Sequence, residues 1–344
     1  MSVEAQSARR MGGRGSNATQ APGAINDSMK IQRIALVGGS GFVGRHLTRH
    51  LQNRGYECRI VTRHAYRLHE LRTSADAVEA NPYDHTQLTA ALQGCDAVIH
   101  LVGILNSGGK SESFRRVHVG LVEHVVEAAQ AAGIKRLLHM SALNADQGSG
   151  SSQYLRSKGE GENRAHTLGK PSLAVTSFRP SVIFGPDDGF LNRFSALLKI
   201  PGPMPLACPD ARLAPVYIGD VVQAFGNALE DRKTFGRRYD LCGPHSYTLK
   251  QLVEFIAEQK GCNKWIIGLP DWASRLQARI LQYVPGKPFT LDNYQSLRTP
   301  SVCKENGLAA LGVTPTALEN AGARILQGEG RLARLTRLRR HSQR

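Results

Sequence analysis

Ile34-Ala-Leu-Val-Gly-Gly-Ser-Gly-Phe-Val-Gly44 is the stretch on which the fold turns. A short apolar run enters a glycine turn, and the turn opens directly into a helical segment, Phe42 to Leu51. That order is the grammar of a dinucleotide-binding strand–turn–helix. Gly38 and Gly41 permit the tight turn and let the backbone approach a pyrophosphate. Gly44 lets the new helix pack closely on the strand. Ser40, Phe42 and Val43 stand where a helix N-terminus offers free N–H groups to phosphates. A glycine triplet alone is weak evidence, so its surroundings decide.

Working outward, strand and helix signals alternate. Apolar strands are expected at 31–37, 58–61, 97–102, 136–140, 174–178 and 239–242, and helices at 41–54, 66–72, 84–92, 114–132 and 153–165. Asp84 is placed to cap one helix and Gly133 to end another. This alternation implies an α/β fold, a Rossmann-like, doubly wound parallel sheet. From about Pro180 proline and glycine cluster, in Pro201-Gly-Pro-Met-Pro205 and around Pro285-Gly-Lys-Pro288. The expected organisation is a disordered leader (1–29), a dinucleotide-binding domain (30–180), a smaller C-terminal cap or substrate region whose strands return to the sheet (181–323), and a basic tail (324–344).

The chain of 344 residues carries a formal charge of +16, of which +2 falls in residues 1–30 and +6 in residues 321–344. Half of the excess therefore lies in the tails, which argues against a nucleic-acid groove as the main function. The leader holds Arg9, Arg10 and Arg14 and faintly resembles a mitochondrial presequence; Met29 is an alternative start. No apolar run is long enough to span a bilayer. The six cysteines (58, 95, 208, 242, 262, 303) are scattered, so reduced thiols are expected. The histidines show no metal-ligand spacing, and no metal is expected.

A second constellation lies about 100 residues downstream. Ser141 ends a strand, and Tyr154-Leu-Arg-Ser-Lys158 follows on a helix. Tyr154 and Lys158 then share one face, one turn apart. A phenol is a poor base near neutrality, with a pKa of about 10. A lysine ammonium nearby would favour the phenolate and lower that value. Lys158 would also hydrogen-bond a nicotinamide ribose, and Ser141 would orient a substrate oxygen, so that Tyr154 passes a proton while the cofactor passes a hydride.

In these motifs the chain resembles the short-chain dehydrogenase/reductase superfamily in its extended or atypical form. The resemblance covers roughly residues 31–260. Asn81-Pro-Tyr-Asp84 stands where the family has an adenine-contacting Asp, which implies Asp84. His100-Leu-Val-Gly103 stands at the end of the fourth strand, which implies Leu101, Val102 and Gly103 beneath the cofactor. Arg179-Pro-Ser-Val-Ile-Phe-Gly-Pro186 matches a family turn and implies Pro180 and Val182. Pro215-Val-Tyr-Ile-Gly-Asp-Val221 matches the return to the cofactor side. Many catalytic members have Asn at His118, where it supports a proton relay; His118 lies at the cofactor and puts that relay in doubt. The Ser-Ser-x-x-Val-Tyr-Gly motif of members acting on nucleotide sugars is absent.

A narrower resemblance is to the alpha-subcomplex accessory subunit nine family of respiratory complex I. It is carried by Ser141-Ala-Leu-Asn-Ala-Asp146, Ser152-Gln-Tyr-Leu-Arg-Ser-Lys-Gly-Glu160, Phe190-Leu-Asn-Arg-Phe194 and Gly202-Pro-Met-Pro-Leu206. It implies a tightly held NADPH with a structural role, and a link to the respiratory chain or ubiquinone pathway. The retained Tyr154 and Lys158 imply instead an oxidoreductase acting on a carbonyl, alcohol or quinone-related substrate. The partners implied are that substrate, and a respiratory complex or anionic membrane reached through the basic tail. The expected location is cytoplasmic, peripheral at the inner membrane, or the mitochondrial matrix in a eukaryote.

About twenty residues beyond the glycine turn an NAD site presents Asp or Glu to the ribose. Here Ile60-Val-Thr-Arg63 offers no acid. Arg63 would pair a 2′-phosphate, so NADP(H) is expected over NAD(H). Arg45 either helps or faces solvent. Asp187-Asp188 precedes an apolar run and reads as a helix cap. Trp265, Trp272 and Tyr283 read as core of the cap, with an apolar pocket as the alternative. Phe114 and the 106–110 loop are expected to border the site.

Overall fold

In the computed structural model, residues 30–63, 75–108 and 113–327 are described. The expected helix at 66–72, the leader and most of the basic tail lie outside the described residues. The elements run β1 (Arg33–Val37), α1 (Phe42–Asn53), β2 (Glu57–Thr62), β3 (Asp76–Glu79), α2 (His85–Leu92), β4 (Ala97–His100), α3 (Leu121–Ala131), β5 (Arg136–Met140), α4 (Gln153–Gly169) and β6 (Ala174–Pro180). Then come β7 (Ile183–Phe184), α5 (Gly189–Leu197), β8 (Met204–Leu206), β9 (Arg212–Leu213), β10 (Val216–Tyr217), α6 (Ile218–Ala228) and β11 (Arg238–Leu241). The last are β12 (Tyr247–Thr248), α7 (Leu249–Gln259), β13 (Ile266–Gly268), α8 (Asp271–Leu281) and α9 (Leu291–Leu297).

Seven strands form one sheet in the order β11-β6-β5-β4-β1-β2-β3. Every pairing in it is parallel. Central strands read as continuous apolar runs because both faces are covered. One face packs on α1 and α6 through Leu36, Leu47, Leu51, Ile99, Phe178 and Phe225. The other packs on α2, α3 and α4 through Val37, Leu88, Val98, Val125 and Leu137. Strand order reverses direction between β1 and β4, so a crevice opens beyond their C-terminal ends. A separate core joins α5, α7 and the small strands, with Phe184, Leu191, Leu206, Val253 and Ile256 buried.

Capping follows the sequence closely. Asp84 accepts from the Gln87 amide, Asp188 from Phe190 and Leu191, and Gly133 adopts φ +75° after α3. Arg136 is fully buried, and its guanidinium donates to the carbonyls of Ala174, Ala228 and Leu229 and to Thr234 Oγ1. It thus satisfies the C-terminal carbonyls of α6.

Two expectations fail. Cys242 and Cys303 are joined in a disulfide across 61 residues, with Cα atoms 6.0 Å apart. The chain after α9 returns alongside β11 and brings them together, a long-range contact that local spacing does not signal. Cys58, Cys95, Cys208 and Cys262 are free thiols. Trp265, Trp272 and Tyr283 are not cap core either: they are 81%, 71% and 82% exposed. The inner positions of α8 are filled by Ser274 and Ala278, which let the helix lie close on β8 and leave the large side chains outside.

Candidate functional site

The glycine turn leaves β1 with Gly38 at φ +92°, a conformation open to glycine. A Cβ on Gly38 would lie 2.9 Å from a Val102 methyl. The turn and the end of β4 therefore meet backbone to backbone. A Cβ on Gly44 would lie 2.5 Å from the Gly39 backbone, which is the close helix–strand approach expected there. The first turn of α1 has neither a side-chain cap nor an acidic residue. By contrast α2, α4, α5 and α7 are capped by Asp84, Ser152, Asp188 and Thr248. The amides beside Ser40, Phe42 and Val43 thus stand at an unneutralised helix N-terminus, suited to a phosphate group. A pyrophosphate fits this cradle on backbone geometry alone.

A cleft of ≈ 580 Å³ opens at the ends of β2 and β3. Arg63, Glu79, Asn81, Tyr83, Gln87 and Arg116 line it. The Arg116 guanidinium lies 4.5 Å over the Tyr83 ring.

The inner end is built by α4 against β4 and β5. Two devices fix the start of α4. Ser152 accepts from the Leu155 amide at 3.1 Å. Asp292, reaching over from α9, accepts from the amides of Gln153 and Tyr154 at 2.7 and 3.2 Å. Tyr154 is half-buried, its ring edge-on to His118 and Phe114. Burial, and then the Asp292 carboxylate, push its phenol up to about 12. One turn later Lys158 is buried and donates to the Met140 carbonyl at 2.7 Å. Burial brings its ammonium down to about 8, against an upward pull from Glu162. A Cβ on Gly103 would lie 3.5 Å from Lys158 Nζ and 3.6 Å from His118 Nε2. Gly103 therefore lies within contact range of both.

His118 sits in a π turn, Arg116–Gly120, that precedes α3. Its Nε2 accepts from the Ile104 amide, so Nδ1 carries the proton and donates to Ser157 Oγ at 2.8 Å. Burial, then Lys158 and His100, hold the imidazole neutral, down to about 2. His100 and His139 stack with a 4° interplanar angle and share one proton between Nδ1 atoms 3.1 Å apart. Both are buried, and both Nε2 atoms lack a hydrogen-bond partner among the described residues. Glu162, fully buried on α4, accepts from Arg179 and Arg238.

The family model described as NAD(P)H-binding matches residues 38–183. The mouse protein named NADH dehydrogenase (ubiquinone) 1 alpha subcomplex subunit 9, mitochondrial, is 30% identical over 305 residues, covering 84% of this chain and 78% of that protein. This chain belongs to the subunit 9 family. Ceramide reductase of Caulobacter vibrioides is 30% identical over 190 residues, 54% of this chain and 57% of that enzyme. Among solved structures, the UDP-glucose 4-epimerase of Thermotoga maritima, determined with UDP-glucose, superposes with a TM-score of 0.69 at 18% identity over 88% of this chain and 99% of that one. At that identity the superposition speaks for the fold alone.

In this subunit 9 family member Gly38 meets Leu101 and Val102, Gly103 lies beside His118 and Lys158, Tyr154 meets His118, and Arg63 lines the outer cleft; three features differ from expectation. Asp84 spends both carboxylate oxygens on Gln87, and Asn81 lines the cleft in its place. Ser141 is buried beside the Glu162 carboxylate without a bond of good geometry, so it faces the interior. Lys158 does not lower the Tyr154 phenol: its ammonium is drawn to the Met140 carbonyl, and burial dominates at Tyr154. Pro180 and Val182 flank Ser181, which is tied to Ser301 of the returning segment. Sequence reading missed Arg116, Tyr83 and Asp292. Arg116 was legible only as part of a helix, and Asp292 lies 138 residues from the amide it caps.

Proposed function

We propose that the chain is an NADPH-dependent reductase that delivers a proton from Tyr154 to a carbonyl oxygen. The observation that carries this reading is the state of Tyr154: a half-buried phenol, held protonated up to about 12, beside a buried lysine at the mouth of a dinucleotide crevice. Near neutrality this phenol carries the proton that reduction of a carbonyl consumes. The nicotinamide, when bound, supplies the hydride. Gly38, Gly41 and Gly44 would hold the pyrophosphate, and Lys158 and Gly103 would border the nicotinamide ribose. As negative charge gathers on the substrate oxygen, Tyr154 gives up its proton to it. The reductases among the relatives support this direction. Arg63 and Arg116, both on the outer cleft, support NADPH over NADH.

The subunit 9 relatives favour a second reading, in which NADPH is held and the protein serves as an accessory or assembly component of the respiratory chain. Two variants separate them. Tyr154→Phe removes the proton and leaves the cradle intact. Gly41→Asp places a carboxylate in the cradle; Gly41 has φ −74°, and its Cβ would meet only the Gly38 carbonyl at 3.4 Å, so the fold tolerates it. Loss of function in both variants, read as NADPH oxidation and cellular ubiquinone, is expected for a reductase. Loss in Gly41→Asp alone would overturn it in favour of the held cofactor. Titration with both reduced cofactors tests the preference: NADPH should bind at least ten-fold tighter, and Arg63→Ala should erase the difference.

A further inference from the structure

α8 is amphipathic in the reverse sense. The face it turns to the protein carries Ser274 and Ala278, both buried. The face it turns to solvent carries Trp272, Leu276 and Ile280 at one-turn spacing, and Tyr283 and Val284 continue the stripe. Trp265, Ile267 and Ile200 extend it. Lys264 Nζ donates to the Leu198 and Ile200 carbonyls, Met204 N to Trp265 O, and Gln277 Nε2 to Pro205 O. These segments are therefore bonded to one another as one surface. Of the ten large hydrophobic side chains exposed among the described residues, nine lie between Leu197 and Val284. A surface gathered this way has an occupant.

The charge around it says which. Residues 264–287 contain Lys264, Arg275, Arg279 and Lys287 and a single acid, Asp271. The Asp271 carboxylate is engaged by the Tyr294 hydroxyl at 2.7 Å. The chain as a whole carries +16. We propose that this face docks on an anionic phospholipid bilayer. Trp265, Trp272 and Tyr283 settle at headgroup depth, and Leu276 and Ile280 enter the acyl boundary. Arg275 and Arg279, on the flank of the helix that adjoins this stripe, extend along the apolar surface and place their charge on phosphates. No helix among the described residues is long and apolar enough to cross a membrane, so the attachment is to one leaflet.

The docked face also adjoins the site. Lys287 Nζ donates to the Ser107 carbonyl, Asn106 Nδ2 to the Lys287 carbonyl, and Asn293 Nδ2 to the Leu105 carbonyl. Leu105 is itself exposed and follows Ile104, whose amide His118 accepts. A substrate dissolved in the bilayer would reach Tyr154 along this rim, a corollary that rests on the reductase reading; the docking itself does not.

The chain holds two tryptophans, and both lie on this face. Their emission therefore reports its occupancy. The full chain is mixed with vesicles of equimolar phosphatidylcholine and phosphatidylglycerol, and with phosphatidylcholine alone. Sedimentation with the anionic vesicles and a blue shift of the emission are expected, both weakened by salt. Trp272→Glu/Ile280→Glu and, separately, Arg275→Glu/Arg279→Glu should each lower vesicle affinity about ten-fold or more. Unchanged NADPH affinity confirms that these variants fold. Arg331→Glu/Arg334→Glu/Arg337→Glu, in the basic tail, should leave the blue shift in place. The proposal is overturned by absent vesicle binding, or by binding that shifts no emission and depends on the tail variant alone. It is equally overturned if light scattering shows a dimer that Trp272→Glu/Ile280→Glu splits, which would assign the face to a second copy.

Discussion

Beneath α4 and along α8 the usual division between apolar interior and polar surface is reversed, in opposite directions. Under α4 the chain buries Lys158, Glu162, His100, His118 and His139. Across α8 it displays tryptophan, leucine and isoleucine and hides serine and alanine. The charged groups of the first reversal are compensated from within. Glu162 has two guanidinium partners, Lys158 a carbonyl, and the imidazoles stay neutral. The second has no internal compensation, because apolar side chains in water are relieved only by something outside the chain. The contrast separates a region whose chemistry is intrinsic from one whose purpose is external.

Acid should break the first region most severely. The folded protein holds His100 and His118 down to about 3 and about 2, below the unfolded value near 6.5. Their neutral forms are thus favoured by folding. The stability they confer is complete above the unfolded value and is lost as pH falls toward the folded ones. Between pH 7 and pH 5 each should cost about 2 kcal/mol, and His139, pushed down by the same burial, adds to the loss. Urea unfolding at the two pH values measures it; a flat response would mean that these side chains reach water. Tyr154→Phe comes next: turnover should fall about 10³-fold while the melting temperature and NADPH affinity hold. Glu162→Leu should cost about 3 kcal/mol, because Arg179 and Arg238 lose their shared carboxylate inside the fold. The smallest effect belongs to the other region. Trp272→Glu should change unfolding free energy by no more than about 0.5 kcal/mol, since its side chain is 71% exposed. A larger loss there would show that α8 is covered in the free protein.

Much of this was legible in the sequence, where local rules operate. The parallel strands, the glycine turn, the caps at Asp84 and Asp188 and the Tyr154–Lys158 spacing each depend on residues within a turn or two. Edge strand β3 was missed because Asp76-Ala-Val-Glu79 is mostly exposed and carries no apolar alternation. The direction of the Tyr154 shift was misread because burial, a property of the whole fold, outweighs a neighbouring charge. The disulfide and the Asp292 cap join residues 61 and 138 positions apart, where pattern is silent. The exposed tryptophans were assigned to the core by composition, and only the small residues at 274 and 278 hint otherwise.

The π turn at Arg116–Gly120 has a last consequence. A π turn holds one residue more than the α-helix allows, so it shifts the angular phase of everything before it by roughly 100° relative to α3. With that phase, Arg116 reaches Tyr83 on the outer cleft while His118, two positions on, reaches Ser157 on α4. The carbonyl of His118 is pushed toward Gly161, where a Cβ would lie only 1.8 Å away. One inserted residue thus acts as a vernier between the two ends of the crevice, and Gly161 is the notch that receives it. Deleting a residue here would leave a regular, well-formed helix whose side chains all address the wrong neighbours.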